Sequence, residues 1–300
     1  MPFQDSKGPA LALSGMLSLL LPGVFVVLWS TGFVFAKLGL PYVGPFTFLE
    51  LRFIIVAALL TLLALATGAP WPPRDKLPAI AIGGLLVHAG YLGGVFAAIS
   101  VGVEAGVAAI VSGLQPVLTA ALAVAFLGER LTARQWFGVA LGFVGVVMVV
   151  ETKLGMGLGT PFGMGLSAFA MLSITAGTLW QKRYCGGMDL RTGSVVQFAA
   201  SGIVMAPFAW GFEHFHVEWT GELVFAMAWL CLVLSIGAIS AMFVLIGRGK
   251  AAEVASLFFL VPPTTAIIAW FMFHERLEPL SMAGMALVVL AVAMVTFRRA

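Results

Sequence analysis

Long apolar runs alternate with short polar breaks along the whole chain. The breaks are rich in Pro and Gly, as in GAPWPPRDK and ETKLGMGLGTP, and are too short to hold a separate soluble domain. An α-helix needs roughly 20 apolar residues to cross the hydrocarbon core of a bilayer. The pattern therefore predicts ten transmembrane helices, near residues 16–38, 45–67, 78–101, 105–127, 134–151, 161–182, 191–212, 222–246, 252–273 and 279–297.

The composition agrees with this pattern. Hydrophobic residues make up 61% of the 300 residues, charged residues make up 10%, and the mean hydropathy is +1.07. A soluble domain carries about 25% charged residues, so this chain cannot cover a water-exposed surface. The predicted fold class is an all-α integral membrane protein in contact with lipid. The first apolar run is longer than the core of a signal peptide and is interpreted as a retained first helix.

The basic residues predict the orientation of the helices. With the N-terminus in the cytoplasm, 12 of the 16 Lys and Arg residues fall on the cytoplasmic side, while Lys37, Lys153 and Arg276 fall outside and Arg52 lies within a span. Because cytoplasmic loops carry the excess of Lys and Arg, both termini are expected in the cytoplasm. The net charge of +3 is scattered over the ends of the apolar runs, which does not favour a nucleic-acid partner.

An internal repeat divides the chain into two halves. A shift of 146 residues aligns residues 105–149 with 251–295 and gives 16 identities in 45 positions. Each half has five predicted helices, an odd number, so the second half must enter the membrane in the opposite orientation. The predicted architecture is a five-plus-five inverted repeat, with residues 12–151 as the first unit and 161–297 as the second. Inverted repeats are typical of secondary transporters, because two interchanged half-conformations open one central site to either side.

The repeated segments resemble the drug/metabolite transporter superfamily, in its ten-helix EamA-type branch. The resemblance rests on PVLTAALAVAFLGERLTARQWFG at 116–138, PPTTAIIAWFMFHERLEPLSMAG at 262–284, FLELRF at 48–53 and AAEVASLFFLVPP at 251–263. His274 departs from the usual Gly before the second Glu. The resemblance covers the whole chain and implies a transporter of the bacterial inner membrane that exports small metabolites. Amino acids are the implied substrate, with an aromatic or broad-range exporter as the narrower expectation.

Polar residues inside the predicted spans are the candidates for substrate binding. A charged side chain at the bilayer centre costs about 2.5–3.5 kcal/mol, so such groups face the interior of the bundle. His88 and Tyr91 lie three residues apart in the third span and therefore share a face. A structural role, such as a core Trp or a Ser bonded to its own helix, is the alternative for each candidate. The other candidates for substrate binding are Trp29, Ser30, Gln115, Ser173, Gln197 and Ser256.

Three prolines lie at matching midpoints of the fourth and ninth spans, namely Pro116, Pro262 and Pro263. Proline removes a backbone hydrogen bond and frees a carbonyl group. The prolines are therefore predicted to break both helices near the membrane midplane, where inverted-repeat transporters bind their substrates. A simple kink is the alternative.

Glu50 and Arg52 are the acid and the base that lie well inside a span. They point to nearly opposite faces of the second helix, so Lys37 is the expected partner of Glu50. Glu50 or His88 is a candidate proton relay, and a helix-to-helix ion pair is the structural alternative for Glu50 and Arg52. Arg52 and Lys37 are expected toward the outer side. The absence of a cation at the midplane favours a zwitterionic substrate over nucleotide-sugars or other phosphorylated metabolites.

A membrane-embedded enzyme is the alternative from another functional class. It would need paired carboxylates or a metal cluster, yet the spans contain no Asp and no HExxH array. His214 and His216 lie in a predicted loop and are interpreted as solvated. The two cysteines, Cys185 and Cys231, have no disulfide or metal-ligand spacing. The chain is therefore not expected to be an enzyme, and no cofactor or metal is predicted.

Two repeated features are interpreted as structural. Glu129 and Glu275, in the two Glu-Arg-Leu motifs, are each expected to form interfacial ion pairs and turns rather than to bind the substrate. Gly138 and Gly142 form a GxxxG pattern in the fifth span, which permits close helix contact. Packing within the bundle is the expected use of this face. The chain is accordingly expected to be a monomer, with a dimer as the alternative.

Overall fold

Ten apolar helices form the protein, in a computed structural model that describes residues 8–115, 117–119, 121–122, 131–155, 160–238, 260–275 and 278–296. The predicted all-α fold class is confirmed. The first five are α1 (Gly8–Gly39), α2 (Pro45–Ala66), α3 (Leu77–Gly84, Leu85–Leu92 and Gly93–Ser100), α4 (Ala105–Gly113) and α5 (Ala133–Gly155). The second five are α6 (Pro161–Tyr184), α7 (Leu190–Gly211), α8 (Gly221–Ala228 and Trp229–Ala238), α9 (Val261–Phe273) and α10 (Pro279–Thr296).

The helices have the length and the surface of membrane spans. In the described part of the chain, six are long and apolar enough to cross a bilayer, and four shorter apolar helices, α4, α8, α9 and α10, accompany them. Large apolar side chains are exposed around the bundle, for example Ile203 at 75% and Phe271 at 68%. Such a surface is stable only against lipid. The chain is a multi-pass membrane protein, as predicted.

The packing of the helices reproduces the internal repeat. Equivalent helices of the two halves pack against each other: α2 on α7, α4 on α9 and α5 on α10. Two further contacts occur in matched pairs: α1 packs on α8 as α6 packs on α3, and α1 packs on α9 as α6 packs on α4. This exchange of equivalent contacts is what two inverted repeats around a pseudo-twofold axis produce, and the predicted five-plus-five architecture is confirmed.

Glycines bring α5 and α10 into backbone contact. A Cβ atom added to Gly145 would lie 2.6 Å from the carbonyl oxygen of Gly284, and one added to Gly284 would lie 2.6 Å from that of Gly145. One turn earlier on α5, a Cβ on Gly142 would lie 2.6 Å from the Leu114 side chain. The GxxxG face is therefore used inside the bundle.

Helices α3 and α8 each contain a π-helical segment at an equivalent position. Leu85–Leu92 shifts by 146 residues onto 231–238, which lies within the segment Trp229–Ala238. Hydroxyl groups bond carbonyls in both segments: Ser173 Oγ donates to the Leu86 oxygen at 2.8 Å and Ser235 Oγ to the Leu230 oxygen at 2.9 Å. π-Helical turns are rare and occur frequently at functional sites. Their presence in both halves therefore makes this level of the bundle a candidate location for the functional site.

One end of the bundle, called here the Lys37 end, is closed by a charged link. Lys37 Nζ lies 2.7 Å from Glu275 Oε1, and the same carboxylate accepts hydrogen bonds from the backbone amides of Ala105 at 2.9 Å and Gly106 at 3.2 Å. The expectation that Lys37 pairs with Glu50 is wrong. Glu275, which follows α9, reaches the first amides of α4 beside the last turn of α1, whereas Glu50 faces α7.

Further links at the helix ends involve loops. The Glu213 carboxylate accepts from the amides of Phe46 at 3.0 Å and Thr47 at 2.6 Å, in the first turn of α2. At the start of α5, Thr132 and Gln135 exchange hydrogen bonds, with Thr132 N to Gln135 Oε1 at 2.9 Å and Gln135 N to Thr132 Oγ1 at 3.3 Å. This reciprocal pair is a capping box. Glu129 and Arg276 lie outside the described residues.

The beginning of α7 carries an exposed ion pair. Arg191 Nη2 lies 2.7 Å from Asp189 Oδ2, and Arg191 Nη1 donates to Thr67 Oγ1 at 2.7 Å. The hydrogen bond from the Arg191 guanidinium lowers the pKa of the Asp189 carboxyl to about 2. The pair ties α7 to the loop that follows α2.

Candidate functional site

A group of polar side chains meets where α2, α3, α4, α7 and α8 converge, and two of its members lie in the π-helical segment of α3. We call it the Arg52 cluster, and its members are Arg52, His88, Tyr91, Ser112, Gln197 and Cys231. Four of the six were predicted from the sequence as substrate-binding or charge-carrying residues.

Arg52 is the charged centre of this cluster. Its side chain is 5% exposed, and its guanidinium lies close to the Tyr91 hydroxyl, the Cys231 thiol and the His88 imidazole. Its Nε atom is buried with no hydrogen-bond partner. Within the part of the chain that the structure describes, no carboxylate forms an ion pair with Arg52. Sequence reasoning expected Arg52 toward the outer side, apart from the candidate binding residues. The structure places it with His88 and Tyr91, because the second helix packs with Arg52 turned toward α3.

His88 lies between an aromatic wall and an amide. Its ring stacks on Phe198 with centroids 4.1 Å apart and an interplanar angle of 19°, and Phe53 lies 6.2 Å away. The imidazole also faces the Gln197 side chain, whose Nε2 atom is buried without a partner. Gly84 allows α3 to approach Gln197 closely, since a Cβ there would lie 2.5 Å from the Gln197 Cα atom.

Tyr91 connects Arg52 to α4. Its hydroxyl faces the Ser112 hydroxyl, but their arrangement falls short of a well-formed hydrogen bond, and Ser112 Oγ is left buried without a partner. Neighbouring members of the cluster thus interact in pairs: Ser112 with Tyr91, Arg52 with Tyr91 and His88, and His88 with Gln197. His88 and Tyr91 are both half-buried, as residues at the wall of a polar site would be.

Gln115 bridges α4 to α6 rather than joining the Arg52 cluster. Its Nε2 atom donates to Thr178 Oγ1 at 3.0 Å and to Thr119 Oγ1 at 3.3 Å. The regular part of α4 ends at Gly113, and a turn at Leu114 separates it from the helical residues that begin at Gln115. Pro116 and Ser256 lie outside the described residues.

The hydroxyl groups of Ser30 and Ser173 bond carbonyls inside the protein. Ser30 Oγ donates to the Val26 oxygen at 2.7 Å and to the Val261 oxygen at 3.3 Å, so it joins α1 to α9. Ser173 Oγ bonds the π-helical segment of α3, as described above. Trp29 is half-buried on α1, with the Phe25 ring 5.6 Å away. The structure does not bring these three residues into the Arg52 cluster.

Pro262 and Pro263 lie in the first turn of the described part of α9. Proline is tolerated there because the first amides of a helix have no intrahelical partner. Pro262 also packs tightly against α4, since a Cβ added to Gly113 would lie 2.6 Å from Pro262 Cγ. The prolines thus lie at the contact between α4 and α9, beside the turn at Leu114.

Glu50 faces away from Arg52. It is 6% exposed, its carboxylate lies beside Gly202 of α7, and its Oε2 atom has no hydrogen-bond partner. The two charged residues of α2 therefore lie in separate surroundings, as their spacing of two residues requires.

Sequence reasoning missed several members and neighbours of the cluster. Ser112 is a polar residue inside the fourth span, and its position in an apolar run was the signal that could have found it. Phe198 follows Gln197 and is the residue that the 146-residue shift equates with Arg52. Phe53 gave no signal, because the apolar runs contain many Phe residues. Cys231 gave none because it has no disulfide or metal-ligand spacing.

Comparisons with known proteins match this architecture. The EamA-like transporter family matches residues 13–151 and 161–297. The chain belongs to the EamA-like transporter family. A probable amino-acid metabolite efflux pump of Escherichia coli (strain K12) is 28% identical over 287 residues, covering 92% of each chain. The uncharacterized inner membrane transporter YedA of the same strain is 25% identical over 270 residues, covering 90% of this chain and 87% of YedA.

A solved structure supports the fold alone. One crystal structure superposes with a TM-score of 0.64 at 20% sequence identity, covering 92% of this chain and 95% of the other. The family is one of transporters, so the prediction that the chain is not an enzyme is confirmed. Family membership also implies a small-molecule substrate.

Proposed function

We propose that this EamA-family protein is a secondary transporter that exports small metabolites, amino acids first, across the inner membrane by alternating access. The observation that carries the proposal is the Arg52 cluster, a set of buried polar groups with unused hydrogen-bonding capacity at the level of the two π-helical segments. Family membership supports transport, and the efflux pump of Escherichia coli supports amino acids as the class. The named relative YedA supports the inner membrane.

The contacts of α1 with α9 support a transport cycle with one closed end. They extend from Ser30 and Val261 to the ion pair of Lys37 and Glu275. Thr265 Oγ1 adds a hydrogen bond to the Ser30 carbonyl oxygen at 3.3 Å. With both termini in the cytoplasm, this end faces the outside. Release of the substrate to the outside would then require α1 and α9 to separate.

The roles proposed for single residues follow their positions. His88, Tyr91 and Gln197 contact the substrate, whereas Gln115 supports the site by holding α4 on α6. Glu50 is the candidate proton relay, because it is a buried carboxyl group with an unpartnered oxygen. Glu50→Gln should flatten the pH dependence of transport, and an unchanged pH profile would remove Glu50 from this role.

The protein is proposed to work as a monomer. The glycines of α5 that were candidates for a dimer contact pack against α10 and α4 within one chain. Cross-linking of the purified protein in lipid nanodiscs, compared with a known monomer of the same size, checks this point.

Carriers of phosphorylated metabolites are the second candidate, and Arg52 is the observation that favours them. A phosphate dianion carries more charge than one guanidinium neutralises, and Arg52 is the one cation among the described members of the Arg52 cluster. Amino acids therefore remain the first choice.

Counterflow in proteoliposomes tests the proposed function. Labelled L-phenylalanine is added outside, and the vesicles contain unlabelled amino acids, sugars or phosphorylated metabolites in separate samples. We expect accumulation with internal amino acids and none with phosphorylated compounds or in protein-free vesicles. Exchange driven by phosphorylated compounds alone would support the second candidate and contradict the first.

A further inference from the structure

Unpartnered hydrogen-bond donors collect in the Arg52 cluster. Six buried side-chain polar atoms of the described residues have no partner, and three of them, Arg52 Nε, Ser112 Oγ and Gln197 Nε2, belong to this cluster. All three can donate. Buried polar groups are nearly always hydrogen-bonded, so an unsatisfied group in a native structure calls for an explanation. Three such groups in one cluster leave several donors available to an acceptor from outside the chain.

The charge of the cluster indicates which kind of acceptor these donors would bind. Arg52 is buried and cationic, and the groups that surround it, a phenol, a thiol and an imidazole, are neutral acceptors or donors at neutral pH. A buried cation is stable only when it is paired with an anion. Guanidinium groups bind carboxylates through two parallel hydrogen bonds.

We propose that Arg52 is the carboxylate anchor of the substrate site, assisted by the Ser112 hydroxyl and the Gln197 amide. This inference rests on the proposed function and deepens it, because it names the substrate group that is recognised. The anion would neutralise Arg52 and supply acceptors for donors that are otherwise unsatisfied. The substrate class is then organic monocarboxylates, of which amino acids are one kind.

The surroundings of Arg52 also indicate which substrate groups the site does not recognise. Among the described residues the cluster includes no carboxylate that could bind an ammonium group, and Glu50 faces α7. The stacked rings of His88 and Phe198, with Phe53 beside them, offer an apolar and aromatic surface. The site should therefore recognise a carboxylate joined to an apolar or aromatic body, with little dependence on the amino group.

A set of ligands tests this on the unmodified protein. Binding of labelled L-phenylalanine to the purified chain in nanodiscs is competed with 3-phenylpropionate, which lacks the amino group, and with 2-phenylethylamine, which lacks the carboxylate. We expect 3-phenylpropionate to compete within about 10-fold of L-phenylalanine and 2-phenylethylamine to compete at least about 10-fold more weakly, as the loss of a charged hydrogen-bond partner implies. Equal or stronger competition by the amine would overturn the proposal.

Variants test the residues. Arg52→Gln should weaken binding of L-phenylalanine about 10- to 100-fold, Arg52→Lys should retain part of it, and Ser112→Ala should weaken it about 2- to 10-fold. Arg191→Gln is the matched control, since Arg191 is exposed and paired with Asp189. The thermal stability of Arg52→Gln without ligand is measured in parallel, because a structural role would lower it while an anchoring role would not.

The outcomes separate the two proposals. If the wild type neither binds nor exchanges any amino acid, the proposed function fails and the anchor fails with it. If the wild type binds L-phenylalanine and Arg52→Gln binds equally well, only the anchor is wrong. If Arg52→Gln does not fold, the ligand series and Ser112→Ala still decide the matter.

Discussion

Lys37 and Arg52 are basic residues of consecutive apolar helices, and the fold gives them opposite surroundings. Lys37 forms an ion pair with Glu275 at 2.7 Å, and its ammonium group also lies 4.8 Å from the centre of the Phe273 ring. Arg52 is more deeply buried, yet it has no carboxylate partner among the described residues. The cation that is easier to hydrate is the one that the protein neutralises.

The two sites differ in how far their hydrogen-bonding groups are satisfied. The Glu275 carboxylate uses both oxygens, on Lys37 and on the first amides of α4, where the helix dipole also favours a negative charge. Both oxygens of the Glu275 carboxylate, the Lys37 ammonium group and the two backbone amides therefore have hydrogen-bond partners. In the Arg52 cluster three donors have no partner, which is a cost that the proposed substrate carboxylate would offset.

The largest expected effect is the loss of the Glu275 carboxylate. Glu275→Ala removes the partner of Lys37 and of two backbone amides. Because Lys37 retains 29% exposure, we expect a loss of about 2–4 kcal/mol of unfolding free energy, toward the low end for a broken buried pair. Equilibrium unfolding in mixed micelles measures it. Glu218→Ala, at a loop carboxylate that is 63% exposed, is the control and should cost no more than about 0.5 kcal/mol. Equal losses for Glu275→Ala and Glu218→Ala would show that the Glu275 carboxylate does not stabilise the fold more than an exposed carboxylate does.

The removal of the Arg52 charge should raise the free energy of unfolding rather than lower it. Arg52→Met keeps much of the side-chain volume and eliminates an unpaired buried cation, so the ligand-free protein should gain about 1–2 kcal/mol of unfolding free energy. Lys37→Met is the matched change and should lose stability, since it leaves Glu275 buried without its cation. If both variants lose stability alike, Arg52 is a structural residue.

Two serines extend the comparison to uncharged groups. Ser173 Oγ bonds the Leu86 carbonyl oxygen at 2.8 Å, whereas Ser112 Oγ has no partner. Ser173→Ala should therefore cost about 1 kcal/mol, because the carbonyl in the π-helical segment of α3 loses its donor. Ser112→Ala should leave stability unchanged. The same unfolding assay compares the two, and a larger loss for Ser112→Ala would contradict the distinction.

The exposed pair of Asp189 and Arg191 should show the smallest effect. In the folded protein the pKa of the Asp189 carboxyl is about 2, below its ordinary value of 3.8. The contribution of this carboxylate to stability is therefore present above pH 4 and is lost as the pH falls through about 2. Asp189→Asn should be slightly less stable than the wild type at pH 7, and the difference should vanish near pH 2. Unfolding of both proteins at the two pH values measures it; a constant difference would show that the charge is not the cause.

The fold class, the number of helices and the division into two inverted halves could be predicted from the amino-acid sequence. Apolar runs of bilayer length and a 146-residue repeat depend on local chemistry and on spacing, both of which can be read along the chain. The same reasoning selected His88, Tyr91, Gln197 and Arg52, because polar residues are rare and costly inside apolar spans.

Which of these residues contact each other, and which have hydrogen-bond partners, depends on how the helices pack. Lys37 and Glu275 lie 238 positions apart, and nothing local indicates that the end of α9 reaches the start of α4. The sequence could show that Ser30, Ser173 and Ser112 are polar, but not that the first two bond carbonyls of other helices while the third has no partner. Hydrogen-bond satisfaction is a property of pairs brought together by packing, so it becomes visible only when the helices are in place.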